Sequence, residues 1–139
     1  MSGVTDLDEL LATMKPVLVD GCFVYACVPA GDLDGHLIRG PIGLFREAEG
    51  VTLILPVEAA EGLAASAPMR MITLSVHSSL EAVGLTAAFA AALTAEGISA
   101  NVVAGYHHDH IFVPERDAER ALETLRALSR RALEKGGRQ

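Results

Sequence analysis

The order of hydrophobic periods after residue 69 most constrains the fold of this chain. The segment "MRMITLSVH" (69–77) alternates apolar and polar residues, which predicts a strand with one face in a core. The next segment (78–97) repeats apolar residues at helical spacing, and two strands (98–106 and 110–114) and a long amphipathic helix (115–137) follow. Strand, helix, strand, strand, helix is most of the split β-α-β unit. We therefore predict an α+β, ferredoxin-like fold.

The first half of the chain shows a similar alternation of elements. The predicted elements are a helix (5–14) that ends before Pro16, a strand (22–28), a loop rich in Gly and Pro (29–41), a hairpin with its turn at Gly50 (42–55) and a short helix (56–63). We predict two units of this type, residues 1–67 and 68–139. Each is expected to have an antiparallel sheet with helices on one face.

Charge is unevenly distributed over the 139 residues, whose net charge is −7. Residues 1–114 carry 4 Lys and Arg against 13 Asp and Glu, a balance of −9, whereas residues 115–139 carry 7 against 5, a balance of +2. The acidic body would repel a phosphate backbone, and the basic residues of the tail alternate with acidic ones at helical spacing. We therefore expect no nucleic-acid partner.

Hydropathy and cysteine usage indicate the compartment. The sequence has no run of about 20 apolar residues, so we expect no membrane partner. The N-terminus lacks a basic region followed by an apolar one, so we expect no signal peptide. Cys22 and Cys27 lie five residues apart and would point to opposite faces of a strand. Reduced cysteines and a cytoplasmic location are the resulting expectation.

Two stretches carry a resemblance to a known family. Residues 75–114 resemble the ACT domain: a strand, a loop that leads to Gly84, a helix, and then Gly97-Ile98-Ser99 at the entry to the next strand. The segment "FREAEGVTLILP" (45–56), followed by "HSSLEAVGLT" (77–86), resembles small bacterial stand-alone proteins with tandem ACT-like domains. The resemblance implies that the protein binds a small molecule, usually an amino acid, and regulates a partner. We expect no attached catalytic domain.

The loop between residues 77 and 84 is the candidate ligand site. It lies between the carboxyl end of a strand and the start of a helix, where free backbone N–H groups and the helix dipole suit a carboxylate. The predicted ligand-binding residues are His77, Ser78, Ser79, Leu80, Glu81, Val83 and Gly84, with Asn101, Val102 and Val103 of the neighbouring strand. The alternative is that Ser78 and Glu81 only cap the helix and Gly84 only permits tight packing.

The histidine-rich segment "GYHHDHIFVP" (105–114) suggests metal binding at first sight. However, neighbouring residues on a strand point to opposite faces, so His107, His108, Asp109 and His110 form two pairs rather than a four-ligand zinc site. A hairpin turn accounts for these residues better. We therefore expect no metal and no cofactor. A contact of Asp109 or His110 with a ligand or a partner chain remains open.

Motifs of catalysis are absent from the sequence. It contains no nucleophile elbow, P-loop, dinucleotide fingerprint or H-E-x-x-H motif, so we expect a protein that is not an enzyme. The leading hypothesis is a regulatory amino-acid sensor. A partner subunit that no longer binds a ligand and a metal-dependent enzyme that uses residues 107–110 are the alternatives. Short sheets leave open edges, so we expect a homodimer that covers them by edge pairing or helix packing.

Overall fold

The structure is a computed structural model and describes residues 3–75 and 83–136. In chain order, its helices are α1 (Gly3–Ala12), α2 (Leu33–His36), α3 (Leu85–Ala95) and α4 (Ala118–Gly136). Its strands are β1 (Pro16–Leu18), β2 (Phe23–Val28), β3 (Gly43–Glu47), β4 (Gly50–Pro56), β5 (Met69–Leu74), β6 (Asn101–Ala104) and β7 (Asp109–Pro114). The described residues contain no helix that is long and apolar enough to cross a membrane.

Packing divides the chain into two compact units. One unit combines Met1–Val19 with Met71–Gln139, and the other is Asp20–Arg70. These units differ from the predicted segments 1–67 and 68–139, because the N-terminal helix and strand pack with the C-terminal half. The division of the sequence at residues 67 and 68 stays a prediction, whereas the two units above are defined by contacts in space.

The inserted unit, Asp20–Arg70, contains the predicted hairpin. Strand β4 pairs antiparallel with both β2 and β3, and Glu47 is opposite Gly50 at the turn. Gly50 has a φ of +153°, and a Cβ atom there would lie 2.7 Å from the carbonyl oxygen of Val28. A side chain at this position would therefore collide with backbone, which explains the glycine. The predicted hairpin is confirmed.

Two predictions for the inserted unit need correction. The predicted loop 29–41 contains α2 and two short 3-10 turns, because Leu33 is buried in the core and fixes this segment. Arg39 connects this segment to residues 59–61. Its guanidinium donates to the carbonyls of Ala59 and Glu61, both at 2.9 Å. The predicted short helix 56–63 is reduced to a single 3-10 turn, Val57–Ala59.

The other unit is a sheet covered by helices on one face. Strand β1 pairs antiparallel with β5, β5 neighbours β7, and β7 pairs antiparallel with β6. The buried residues under the helices are Leu11, Met14, Ile72, Leu74, Leu85, Phe89, Leu93, Ile98, Ile111, Val113, Ala118, Ala121, Leu122, Leu125 and Ala132. Nearly all are aliphatic, as the scarcity of aromatic residues requires. This helix-covered face fixes which strand residues point the other way.

Helix α3 begins later than predicted. The sequence suggested a helix over residues 78–97, but α3 starts at Leu85, directly after Gly84 with a φ of +95°. A left-handed residue interrupts a helix, so Val83 and Gly84 cannot belong to it. The predicted capping residues, Ser78 and Glu81, lie outside the described residues. The predicted apolar stripe of α3 is confirmed by the burial of Leu85, Phe89 and Leu93.

Candidate functional site

The predicted ligand site falls partly within the described residues. His77, Ser78, Ser79, Leu80 and Glu81 lie outside them. Val83 and Gly84 lie directly before α3, and Asn101, Val102 and Val103 lie on β6. The described residues therefore define the ends of the predicted loop and the strand predicted to face it.

The N-terminal segment contacts the chain on both sides of the predicted loop. Before the loop, the backbone N–H of Ser75 donates to the carbonyl oxygen of Met14 at 2.8 Å. After the loop, Gly84 faces Leu7, and a Cβ atom at Gly84 would lie 3.3 Å from Leu7 Cδ2. The contact with Leu7 means that Gly84 permits close packing. This is the alternative to ligand binding that the sequence left open. Sequence reasoning missed these contacts, because Leu7 and Met14 are far from the loop along the chain.

The start of α3 presents the positive end of a helix dipole. The first helical hydrogen bond runs from the N–H of Ala88 to the carbonyl of Gly84 at 2.9 Å. Gly84 has no side chain that could accept from the first-turn amides of Thr86 and Ala87. Such amides are suited to a carboxylate or another anionic group.

The three predicted residues of β6 do not share one face. Val102 is partly buried and packs against the helix-side core. Asn101 and Val103 point to the opposite face, where Asn101 is exposed and Val103 is 38% exposed. Because side chains alternate along a strand, a ligand that touches Asn101 and Val103 would not touch the side chain of Val102.

His110 lies on the same face of the sheet as Asn101 and Val103. Val103 is opposite His110 in the β6–β7 register, and His110 Nδ1 shares a hydrogen bond of 2.9 Å with Thr73 Oγ1 on β5. The tight turn between β6 and β7 is closed by the N–H of Gly105, which donates to the carbonyl of His108 at 2.8 Å. We call Thr73, Asn101, Val103 and His110 the second-face cluster. The predicted hairpin turn at the histidines is confirmed.

Electrostatics favour a neutral His110. Burial lowers the pKa of this histidine, the neighbouring His108 lowers it further, and Asp109 opposes both effects. A neutral imidazole has one hydrogen-bond donor and one acceptor, so the cluster can offer neutral polar contacts to a ligand. Among the described residues, no group of three or more His, Cys, Asp or Glu side chains is arranged to hold a metal ion.

On the part of the surface that the structure describes, two grooves lie away from the predicted residues. One, of about 390 Å³, belongs to the inserted unit and is lined by Tyr25, Ala26, Cys27, Thr52, Ala64, Ala65 and Ser66. Burial raises the pKa of Tyr25, so this side chain presents a neutral phenol. The other, of about 370 Å³, lies between α3 and α4. Sequence reasoning identified neither groove, because each one joins residues from separate segments.

Comparison with protein families identifies the class of this protein. Residues 2–70 and residues 66–127 each match a family model described as an ACT domain. The chain belongs to the ACT domain family, and the two matches form a tandem across most of its length. The predicted resemblance and the predicted α+β, ferredoxin-like fold are both confirmed.

Solved structures give more particular relatives. A Vibrio cholerae protein of unknown function, described as a possible transport protein, is 51% identical, with a TM-score of 0.84 over 92% of this chain and 99% of that chain. The regulatory subunit of aspartate kinase from Thermus thermophilus is 12% identical, with a TM-score of 0.66 over 84% of this chain and 97% of that chain. An Agrobacterium tumefaciens protein is 15% identical, with a TM-score of 0.69 over 82% of this chain and 87% of that chain. The last two similarities concern the fold alone. No curated protein matches this chain.

Proposed function

We propose that this protein is a regulatory sensor that binds a small molecule, most simply an amino acid, and has no catalytic activity. Membership of the ACT domain family is the observation that carries the proposal, because ACT domains are regulatory ligand-binding modules. The fold shared with regulatory subunits of aspartate kinase is consistent with it. We further propose a cytoplasmic location, since both described cysteines are free thiols, and a homodimer that covers the open edges of the sheet.

We place the ligand at residues 77–84, with α3 and the second-face cluster as supporting groups. The amides at the start of α3 would receive a carboxylate, as any helix N-terminus favours negative charge. Asn101 is exposed and lies on the same face as the neutral His110. A side-chain amide can donate to a carboxylate or accept from an ammonium group. Val102 leaves the predicted contact set, because its side chain packs against the core.

Thermal-shift measurements with each of the twenty amino acids test the proposal. A ligand that binds the folded state at 100 times its Kd stabilises that state by about 2.7 kcal/mol, which raises the melting temperature measurably. Gly84→Val should abolish the shift, because it adds a side chain at a left-handed position beside Leu7. Gly97→Val is the matched control, since Gly97 also has a positive φ of +70° but faces open space.

Asn101→Ala adds a second variant that does not strain the backbone. We expect it to reduce the thermal shift that the amino acid gives with the wild type. No shift with any amino acid at millimolar concentration would contradict the sensor proposal. A shift that both Gly84→Val and Asn101→Ala retain would contradict the placement of the site, but not the sensing function.

A second candidate function is a partner subunit that acts through protein contacts without a ligand. The exposed face of α3 favours this alternative. None of the eleven residues of this helix has a charged side chain. Under this alternative the amino acids give no thermal shift, while a protein partner stabilises the chain by the same mass-action effect.

A further inference from the structure

The outward face of α3 has an unusual composition for a surface helix. From Leu85 to Ala95 the exposed residues are Thr86, Ala87, Ala91, Thr94 and Ala95. Helices that border water generally carry charged residues on that side, and α4 follows this rule. The charged residues of α4 are Glu119, Arg120, Glu123, Arg126, Arg130, Arg131, Glu134 and Lys135. The exposed surface of α3 therefore resembles a protein contact surface in composition more than it resembles a surface that faces water.

A groove runs between this face and α4. Its volume is about 370 Å³, with Ala92, Ala95 and Ala127 among the lining residues. Two further lining residues are already engaged within the chain. Arg120 pairs with the carboxylate of Asp117 at 3.0 Å, and Glu123 pairs with Arg130 at 3.2 Å. Both of these charges are therefore already paired within the chain.

Two charges at the groove remain available. Glu96 and Arg131 both line it, and neither side chain has an ion-pair partner among the residues that the structure describes. Arg120 donates to the backbone carbonyl of Glu96, so these two residues lie at one end. Arg131 is eleven residues further along α4, which corresponds to about 16 Å at 1.5 Å per residue. A free anion and a free cation therefore lie at opposite ends of one groove.

We infer that this groove is the contact surface between two copies of the chain. A two-fold axis through the middle of the groove exchanges its ends, so Arg131 of each copy meets Glu96 of the other. An isologous interface makes every such contact twice. Overall charge agrees with this choice. Residues 115–139 carry +2, whereas residues 1–114 carry −9, so two acidic chains repel each other least here.

This inference rests on the homodimer of the proposed function and names its surface. Sedimentation velocity of the full chain over a range of concentrations measures the dimer Kd. Arg131→Glu and Glu96→Arg should each raise that Kd at least about tenfold, because each change places like charges together at two symmetric positions. The double variant Glu96→Arg with Arg131→Glu restores opposite charges and should return the Kd to within about threefold of the wild type.

Arg126→Glu is the matched control, since Arg126 is an exposed residue of α4 outside the groove and the change in net charge is the same. Circular dichroism verifies the fold of each variant, and the two single variants test the same pair independently. If the control raises the Kd as much as Arg131→Glu, or if the double variant is no tighter than the singles, the surface is wrong although a dimer exists. A wild-type chain that stays monomeric at every concentration overturns both the surface and the homodimer. Amino-acid thermal shifts report separately on sensing.

Discussion

The two faces of the same three strands differ sharply in chemistry. On the helix side, β5 and β7 contribute Ile72, Leu74, Ile111 and Val113, and all four are fully buried. On the other side, the same strands and β6 contribute the second-face cluster of Thr73, His110, Asn101 and Val103. Phe112 also points to this second side and is 2% exposed, so the side is not uniformly polar.

This comparison separates stability from recognition. The helix side consists of aliphatic groups, which contribute through burial and close packing and make no specific polar contact. The second face has a hydroxyl, an imidazole and an amide side chain, and such groups give specificity to a binding surface. Changes on the helix side should therefore affect the free energy of unfolding most, and changes on the second face should affect ligand binding most.

The largest effect is expected for Ile111→Ala. This change removes a fully buried side chain from the helix-side core and should lower the free energy of unfolding by about 2–5 kcal/mol. Val103→Ala on the second face is the control, and its effect should stay below about 1 kcal/mol, because Val103 is 38% exposed. Urea denaturation measures both values. Equal losses in the two variants would contradict the distinction between the faces.

An intermediate effect is expected for Thr73→Val. The substitution keeps the shape of the side chain but removes the hydroxyl that shares a hydrogen bond with His110, which should cost about 1 kcal/mol of unfolding free energy. Thr73→Ser retains the hydroxyl and is the matched control. If Thr73→Val costs nothing in urea denaturation while Thr73→Ser does, the hydrogen bond contributes nothing and the methyl group of Thr73 is what matters.

The smallest effect is expected from the titration of His110. Its pKa in the folded protein is lower than the ordinary value of 6.5, so below that pH the unfolded chain binds more protons than the folded one. Stability from this group is therefore complete above about pH 6.5, the pKa in the unfolded chain, and is lost as the pH falls from there through the lower pKa of the folded protein. Urea midpoints at several pH values measure this loss, which His110→Gln should diminish.

The groups that face His110 determine the size of that effect. Thr73 shares a hydrogen bond with its ring, His108 lowers the pKa of His110, and Asp109 raises it. His107→Gln is the control, because His107 is exposed and lies in the turn. An identical pH profile in the wild type and in His110→Gln would show that another group is responsible.

Much of the fold could be predicted from local patterns. The alternation in 69–77 gave a strand whose buried residues are Ile72 and Leu74, and the helical spacing in 85–93 gave the buried stripe of α3. The strands on both sides of the histidine-rich turn were also predicted, and the turn itself is confirmed. In these segments burial on one face imposes a regular period, so the sequence is sufficient.

The errors have a different physical cause. Strand β1 has three residues, which is too short for an alternation to be recognised, and its pairing with β5 depends on a distant segment. The start of α3 was placed too early because Ser78 and Glu81 have the spacing of a capping box, whereas the left-handed φ of Gly84 prevents a continuous helix there. For the candidate site, the sequence suggested Asn101 and Val103 but gave no indication of Thr73.

By itself, the sequence determined the α+β class, the tandem ACT-like character and the turn at His107–His108, because each depends on periodicity, glycine placement or local motif. Tertiary structure alone decided that Leu7 and Met14 contact the chain on both sides of residues 76–82, and that Thr73 binds His110. It also decided which two charges, Glu96 and Arg131, share one groove. Such contacts join residues that are remote in the chain, and their partners are fixed by packing rather than by any local pattern.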